Sequence, residues 1–266
     1  MKFFSGKIIY FAHDLNYIRF QRQYNLSKNK KHLEISNKLE KIENYIISKA
    51  NIIHVVGNFE QRIIRDKFKN KIVRNIPIYI FDNKITNIKK DFSIRKNIVF
   101  VGGFSHSPNE DAVLWFSKEI FPKIYKTYPD IIWYIVGSKI NSNIKKLESK
   151  HTKILGYLSD EKLKALYNDC RIAIAPLRFG AGVKGKIIEA AYYQIPMVTT
   201  SIGAEGLNNS TEAFIVEDNP LKMSEIICKL YIDYSKLKIM SDSGKLFIEK
   251  YFSKKKAKEV IMMDIY

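Results

Sequence analysis

Arg171-Ile-Ala-Ile-Ala-Pro-Leu-Arg178-Phe-Gly-Ala-Gly-Val-Lys-Gly-Lys-Ile-Ile-Glu189-Ala190 is the stretch whose reading decides the fold of this chain. Its opening is a short apolar run, which predicts a buried strand over 171–175, and its close has the spacing of a helix. Between them Gly180, Gly182 and Gly185 alternate with Arg178, Val183, Lys184 and Lys186. A strand that runs through a glycine-rich turn into a helix N-terminus makes an anion site, because free backbone N–H groups and the helix dipole point at the ligand. Lys184 and Lys186 add full positive charge. Glu189 follows early in the helix, where acids of nucleotide folds accept hydrogen bonds from ribose hydroxyls. The ligand this combination predicts is a sugar nucleotide.

Outward from that stretch, apolar runs of strand length alternate with helical patterns. Strands are predicted at 98–101, 131–136, 153–155, 197–200 and 213–216, with helices from about 108 to 125, after Asp160 and after Gly185. Asp160 reads as an N-cap followed by the acidic Glu161, and Pro220 after Asn219 reads as a helix start. Two more helical patterns close the chain, the last from Ser253 onward. The sum is a Rossmann-like doubly wound sheet over 97–252, with a C-terminal helix at 253–266. Upstream, a strand at 7–12 precedes a helical pattern carrying Leu33, Leu39, Ile42 and Ile46. A strand at 52–56, a helix at 60–68 and a strand at 72–80 complete a partial Rossmann-like unit over 1–81. The polar, aperiodic stretch 82–96 reads as a linker.

The 266 residues suffice for one large domain or two small ones, and a hydrophobic content of 46% is ordinary for a globular protein. Cys170 and Cys228 stand far apart, which points to buried thiols, a reducing compartment and no structural zinc. No apolar run is long enough to cross a bilayer, and the N-terminus lacks the features of a signal peptide, so a cytoplasmic location is expected. The net charge of +18 is uneven. Residues 1–96 hold 21 Lys/Arg against 8 Asp/Glu, whereas 97–266 hold 24 against 19. A basic first part points to a polyanionic partner, either an anionic membrane face or nucleic acid. No nucleic-acid-binding motif accompanies it, which argues against the latter.

Several segments occur together in an order that resembles the group 1, or family 4, retaining glycosyltransferases of the GT-B fold. They are Phe100-Val-Gly-Gly, Ser107-Pro-Asn-Glu-Asp-Ala-Val-Leu-Trp-Phe, Ile135-Val-Gly, Gly156-Tyr-Leu-Ser-Asp, the loop quoted above, Pro196-Met-Val-Thr-Thr and Gly203-Ala-Glu-Gly-Leu. Upstream, His13-Asp14-Leu-x-x-x-Arg19-x-x-Arg22 and Ala50-Asn-Ile-Ile-His-Val-Val resemble the second half of the family's N-terminal domain. The resemblance implies that the C-terminal domain holds a nucleoside-diphosphate sugar and the N-terminal domain a glycan or lipid-linked acceptor. It implies that Glu189 binds the donor ribose, that Gly102 and Gly103 approach the diphosphate, and that Tyr157 and Leu158 contact the base. His13 falls where the family places a cleft histidine, and Lys186 would stabilise the departing diphosphate. No metal or other cofactor is implied.

Three departures accompany the resemblance. Gly103 and Asn109 stand where the family commonly carries an Arg and a Lys, leaving Arg178, Lys184 and Lys186 as the candidate cations. Ala181 stands where the family has the first glutamate of its E-x7-E pair. The opening strands of a full first domain are absent, so the missing half is expected from a longer gene product or a second polypeptide. The alternative reading keeps the fold without the chemistry: a nucleotide-sugar-binding subunit or an inactive remnant.

Overall fold

Apolar runs alternating with helical periodicity can only bury their faces as parallel strands covered by helices. The computed structural model describes residues 6–77, 88–207 and 212–265, and its strands form two parallel sheets. The first has the order β1 (Ile9–Ala12), β2 (Ile52–Val55), β3 (Ile72–Asn75). Helices α1 (Asn16–Ser27) and α2 (Lys30–Lys49) join β1 to β2, and α3 (Asn58–Lys67) joins β2 to β3.

The second sheet contains β4 (Lys96–Val101), β5 (Trp133–Val136), β6 (Thr152–Gly156), β7 (Cys170–Ala175), β8 (Met197–Thr199) and β9 (Phe214–Val216). Their spatial order is β6-β5-β4-β7-β8-β9. This is the doubly wound order, and its topological switch point lies between β4 and β7. Between the strands run α4 (Ser107–Trp115), a π-helical turn at Phe116–Ile120, α5 (Phe121–Thr127), α6 (Ser142–Lys145), α7 (Asp160–Asp169), α8 (Gly185–Tyr192) and α9 (Ser201–Ala204). After β9 come α10 (Pro220–Ile232), α11 (Tyr234–Tyr251) and α12 (Lys254–Ile265).

Strand alternation divides the second core into two layers. Ile98, Phe100, Ile172 and Ile174 face Phe116, Trp133 and Met223, whereas Val99, Ala173 and Ala175 face Ile187, Ala190 and Phe247. The large side of this core supplies about 1.5–3 kcal/mol for each fully buried Ile or Phe. The small side lets α8 lie close to β7, which fixes where the N-terminus of α8 points.

The helical pattern upstream of β2 is two helices, broken where Lys28 adopts φ 55° and Asn29 caps α2 through Lys31 N–H. Its buried face is also offset from the apolar one. Ile42 and Ile46 are 45% and 37% exposed, while Ser36, Glu43 and Ile47 are buried. The polar pair is inside because it serves α1. Ser36 Oγ donates to the Tyr17 carbonyl at 2.7 Å, and Glu43 accepts the Asn16 and Tyr17 N–H groups at 2.9 and 3.3 Å. The first turn of α1 has no capping side chain of its own. Ser159, rather than Asp160, is the N-cap of α7, with its hydroxyl accepting Lys162 N–H. A hydroxyl one residue earlier captures the same orphan donor. The Asn219 cap before Pro220 is as expected.

The strand expected over 72–80 occupies 72–75; residues 78–80 and 82–87 lie outside the described residues. Within residues 88–95 of the stretch read as a linker, Phe92 and Arg95 are buried. Phe92 enters the core of the second lobe, and Arg95, 1% exposed, stacks on its ring at 4.4 Å.

The last helix returns to the first lobe, where Ala257 and Val260 pack on Ile76. Asp264 accepts from Arg74 Nε at 2.6 Å and hydrogen-bonds His54 Nε2 at 2.7 Å. Burial opposes ionisation of Asp264, but the bonds from His54 and Arg74 outweigh it and hold the carboxyl below its ordinary range. A depressed carboxyl stabilises the fold above its unfolded pKa and loses that contribution as pH falls through the folded one. Asp264→Ala is therefore expected to cost about 2 kcal/mol at neutral pH. In thermal melts the gap to wild type should narrow as the pH is taken below the carboxylate range.

Candidate functional site

β4 and β7 both end at the switch point, and the loops that leave them make a cleft of about 210 Å³ against the first lobe. From β4, Gly102 and Gly103 lead to α4, whose N-terminus brings His106 and Asn109 to the wall. From β7, the loop through Gly180, Ala181, Val183 and Lys184 leads into α8, whose second residue is Lys186. The first lobe contributes Asp14 from the end of β1.

Lys186 is the centre of this arrangement. Its ammonium lies 4.6 Å over the Phe100 ring and donates a short hydrogen bond to Asn109 Oδ1. Asn109 in turn donates to the Gly103 carbonyl at 2.7 Å. Desolvation, with Lys184 nearby, pushes the Lys186 amine down to about 7 from its ordinary 10.5. A Cβ on Gly102 would stand 2.9 Å from both Lys186 Nζ and the Asn109 amide, so a side chain there would displace these two groups from their present positions. His106 sits at the N-cap of α4 without a side-chain capping bond. Burial, then the charges of Arg19 and Lys186, holds its imidazole below the ordinary histidine range.

The three candidate cations have different surroundings. Lys184 lines the cleft, but its ammonium bonds the carbonyls of Ala181 and Gly182 in its own loop. Burial pushes its amine down to about 8. Arg178 turns away from the cleft and is paired in a fork with Asp111, over the Trp115 ring at 5.6 Å. Lys186 alone of the three reaches Asn109 and the Phe100 ring inside the cleft.

Glu189 is half-buried and accepts a hydrogen bond from Tyr167 Oη at 3.2 Å; desolvation holds its carboxyl above the ordinary range. Tyr157, after β6, is 76% exposed, and Leu158 beside it packs on the second lobe's core. His13 is exposed, with its ring edge-on to Phe11 at 4.4 Å, and it is its neighbour Asp14 that lines the cleft. Ala181 lines the cleft and also packs in the first lobe's apolar cluster.

Sequence reasoning named Asp14 only within the His13-Asp14 pattern, not as a site residue, and passed over His106 and the role of the first-lobe residues that hold the loop. Glu60 is fully buried on α3 and accepts Gly182 N–H at 3.0 Å. Burial raises its carboxyl above the ordinary range. Arg22 of α1 forks onto Glu205 at 2.8 and 2.6 Å. The only sequence sign of these was Arg22 itself, within the Arg19-x-x-Arg22 pattern. Among the described residues, no group of three or more His, Cys, Asp or Glu residues could hold a metal ion, and no helix is long and apolar enough to cross a membrane.

Lys186 gives a stability test with a definite sign. A lysine whose folded pKa lies below its unfolded one destabilises the fold while charged, and this penalty fades as pH rises from about 7 towards 10.5. Lys186→Met is expected to raise the Tm, more at about pH 6 than at about pH 10. It should also abolish any Tm increase produced by inorganic pyrophosphate.

Comparison with known proteins follows the same lines. Residues 95–233 match the family described as glycosyl transferases group 1. An "uncharacterized 44.6 kDa protein in cps region" of Klebsiella pneumoniae is 29% identical over 168 residues, covering 60% of this chain and 43% of that protein. Among solved structures, HepE of Anabaena in complex with UDP and glucose superposes with a TM-score of 0.71 at 12% identity, over 97% of this chain and 71% of that one. Sucrose-phosphate synthase from Thermosynechococcus elongatus gives 0.74 at 14% identity, over 98% and 67%. TarM of S. aureus gives 0.69 at 15%, over 85% and 45%. At these identities the structural matches establish the fold, which is GT-B-like. The chain spans less than half the length of the Klebsiella protein and of TarM.

Proposed function

The chain belongs to the group 1 glycosyltransferases, and on that premise we propose that it moves a hexose from a nucleoside-diphosphate sugar, with retention, to a glycan or lipid-linked acceptor. The observation that carries this reading is the desolvated Lys186 ammonium, set at the start of α8 and facing the start of α4 across the switch point. Two helix N-termini and a cation around one small cleft are complementary to a diphosphate.

In this reading the Gly102 and Gly103 backbone approaches the diphosphate, Glu189 takes the ribose hydroxyls, and Tyr157 with Leu158 takes the base. The diphosphate also lies against the loop at Gly180 and Gly182, with Val183 and Lys184 shaping its rim. As the bond from the anomeric carbon to the diphosphate oxygen breaks, charge grows on that oxygen. Lys186 and the helix ends stabilise it in place, without reorganisation. Arg178 acts at a distance, by holding the loop to α4 through Asp111. His13 and Asp14 stand at the acceptor side.

The bound UDP and glucose of HepE support a sugar-nucleotide donor. The Klebsiella protein's place in a cps region supports a role in cell-surface polysaccharide. The basic first lobe suits an anionic membrane face, where lipid-linked acceptors are held. β1 is the outer strand of its sheet, with Ile9 and Phe11 39% and 41% exposed. A continuous apolar parallel strand of this kind is ordinarily covered, and among the described residues only β2 pairs with it. A second reading, a donor-binding subunit without turnover, is favoured by Ala181, whose methyl leaves no carboxylate on that side of the cleft.

Titration calorimetry of the chain with UDP and with GDP tests the donor site. One of the two nucleotides should bind, and Glu189→Ala should weaken it by about tenfold or more. A folded protein that binds neither overturns the assignment. Release of nucleotide from a sugar donor, measured with acceptor present, separates transfer from binding alone.

A further inference from the structure

The glycine-rich loop is covalently part of the second lobe, but Gly180, Ala181 and Gly182 also have non-covalent partners in the first. Gly182 N–H donates to Glu60 Oε1 at 3.0 Å. The Gly180 carbonyl accepts from Arg22 Nη1 at 2.8 Å, and the same guanidinium forks onto Glu205 while lying 5.1 Å over the Phe59 ring. Ala181, between the two glycines, is 9% exposed and packs in the cluster that contains Ala12, Leu15 and Ile64. Three consecutive residues of the loop are thus fixed by α1, α3 and the first sheet.

Glu60 is an expensive way to make such a contact. Its side chain is wholly buried, and Oε2 has no hydrogen-bond partner among the described residues. A Cβ on Gly57 would lie 2.6 Å from that oxygen and one on Gly206 3.8 Å from it, so the carboxylate is boxed in where the lobes meet. An apolar residue of similar volume would stabilise the fold more than a half-satisfied carboxylate. What the carboxylate supplies, and an apolar residue cannot, is an acceptor for one N–H of the loop.

We infer that Glu60 and Arg22 are positioning residues through which the first lobe sets the conformation of the donor loop. The loop reaches its anion-binding arrangement when α1 and α3 are docked on it, so donor affinity and lobe docking are linked. By reciprocity, a ligand on the loop strengthens docking by the factor by which docking strengthens the ligand. This inference rests on the donor-site reading above and adds a device to it: the acceptor side of the molecule prepares the donor side before either substrate meets the other.

The test uses the full chain, UDP calorimetry and hydrogen exchange of the amides over 178–186. Glu60→Ala and Arg22→Ala are each expected to weaken UDP binding about tenfold and to speed exchange of the loop by a similar factor. Glu60→Gln keeps an acceptor for Gly182 N–H and should restore most of both. Ile124→Ala, which opens a cavity around α5 in a cluster that holds none of residues 178–186, should lower the Tm while leaving both readouts at the wild-type value. Wild-type affinity and exchange in Glu60→Ala would overturn the inference, as would an equal loss in Ile124→Ala. If the wild type binds neither UDP nor GDP, the donor reading fails, and loop exchange in the same variants still decides whether the first lobe holds the loop.

Discussion

The convergence of β4, α4 and α8 at the switch point depends on one steric condition, the bare Cα of Gly102. With a side chain there, Lys186 Nζ and the Asn109 amide would both meet it at 2.9 Å. The ammonium on the Phe100 face and the Asn109 amide that bridges it to the Gly103 carbonyl would then both have to shift. The doubly wound topology brings the strand ends together, but it does not bring these three groups within bonding distance. The small residues on the α8 side of the sheet, Ala173, Ala175 and Ala190, do so by letting α8 descend onto β7.

An ammonium held this way destabilises the fold when charged, and Glu60 does the same from the opposite lobe. Stability for both comes from elsewhere: the apolar layers around Phe116 and Trp133, and the closure of α12 on the first lobe through Asp264. That closure is distant from the cleft. It keeps the two lobes tethered while the cleft retains groups whose burial is unfavourable, which is the usual division of labour between a scaffold and a binding site.

Much of the second lobe was legible because strand burial and helix spacing leave different periods in the sequence, and the 171–190 stretch shows both with a turn between them. The face of α2 was not legible. Hydrophobic spacing selects Ile42 and Ile46, yet the buried face includes Ser36 and Glu43, whose partners are groups at the start of α1 that no pattern in α2 reveals. The three cations of the loop were equivalent as residue types. They differ only in what lies within reach: Asp111 for Arg178, the loop's own carbonyls for Lys184, and the Asn109–Phe100 niche for Lys186. His13 and Asp14 were separable only by the direction each side chain leaves the strand end. Glu60 carried no signal at all, since an acid in the first turn of a helix is ordinarily explained by the dipole.

Gly182 shows why a glycine-rich loop in this setting answers to more than phosphate. Its φ of +71° already disfavours a side chain, but a Cβ there would also lie 2.8 Å from Asp14 Cβ and 3.1 Å from the His13 carbonyl. Both contacts belong to the other lobe, so a larger residue would press on the end of β1 as well as straining the turn. Moving β1 shifts Asp14 out of the cleft wall and pulls against the Gly182–Glu60 bond in the same motion. The residue that gives the loop its turn is therefore also the one that lets the lobes close on it. A motif read from one sheet as a nucleotide signature is equally a lobe-contact signature, because the cleft it lines has two walls.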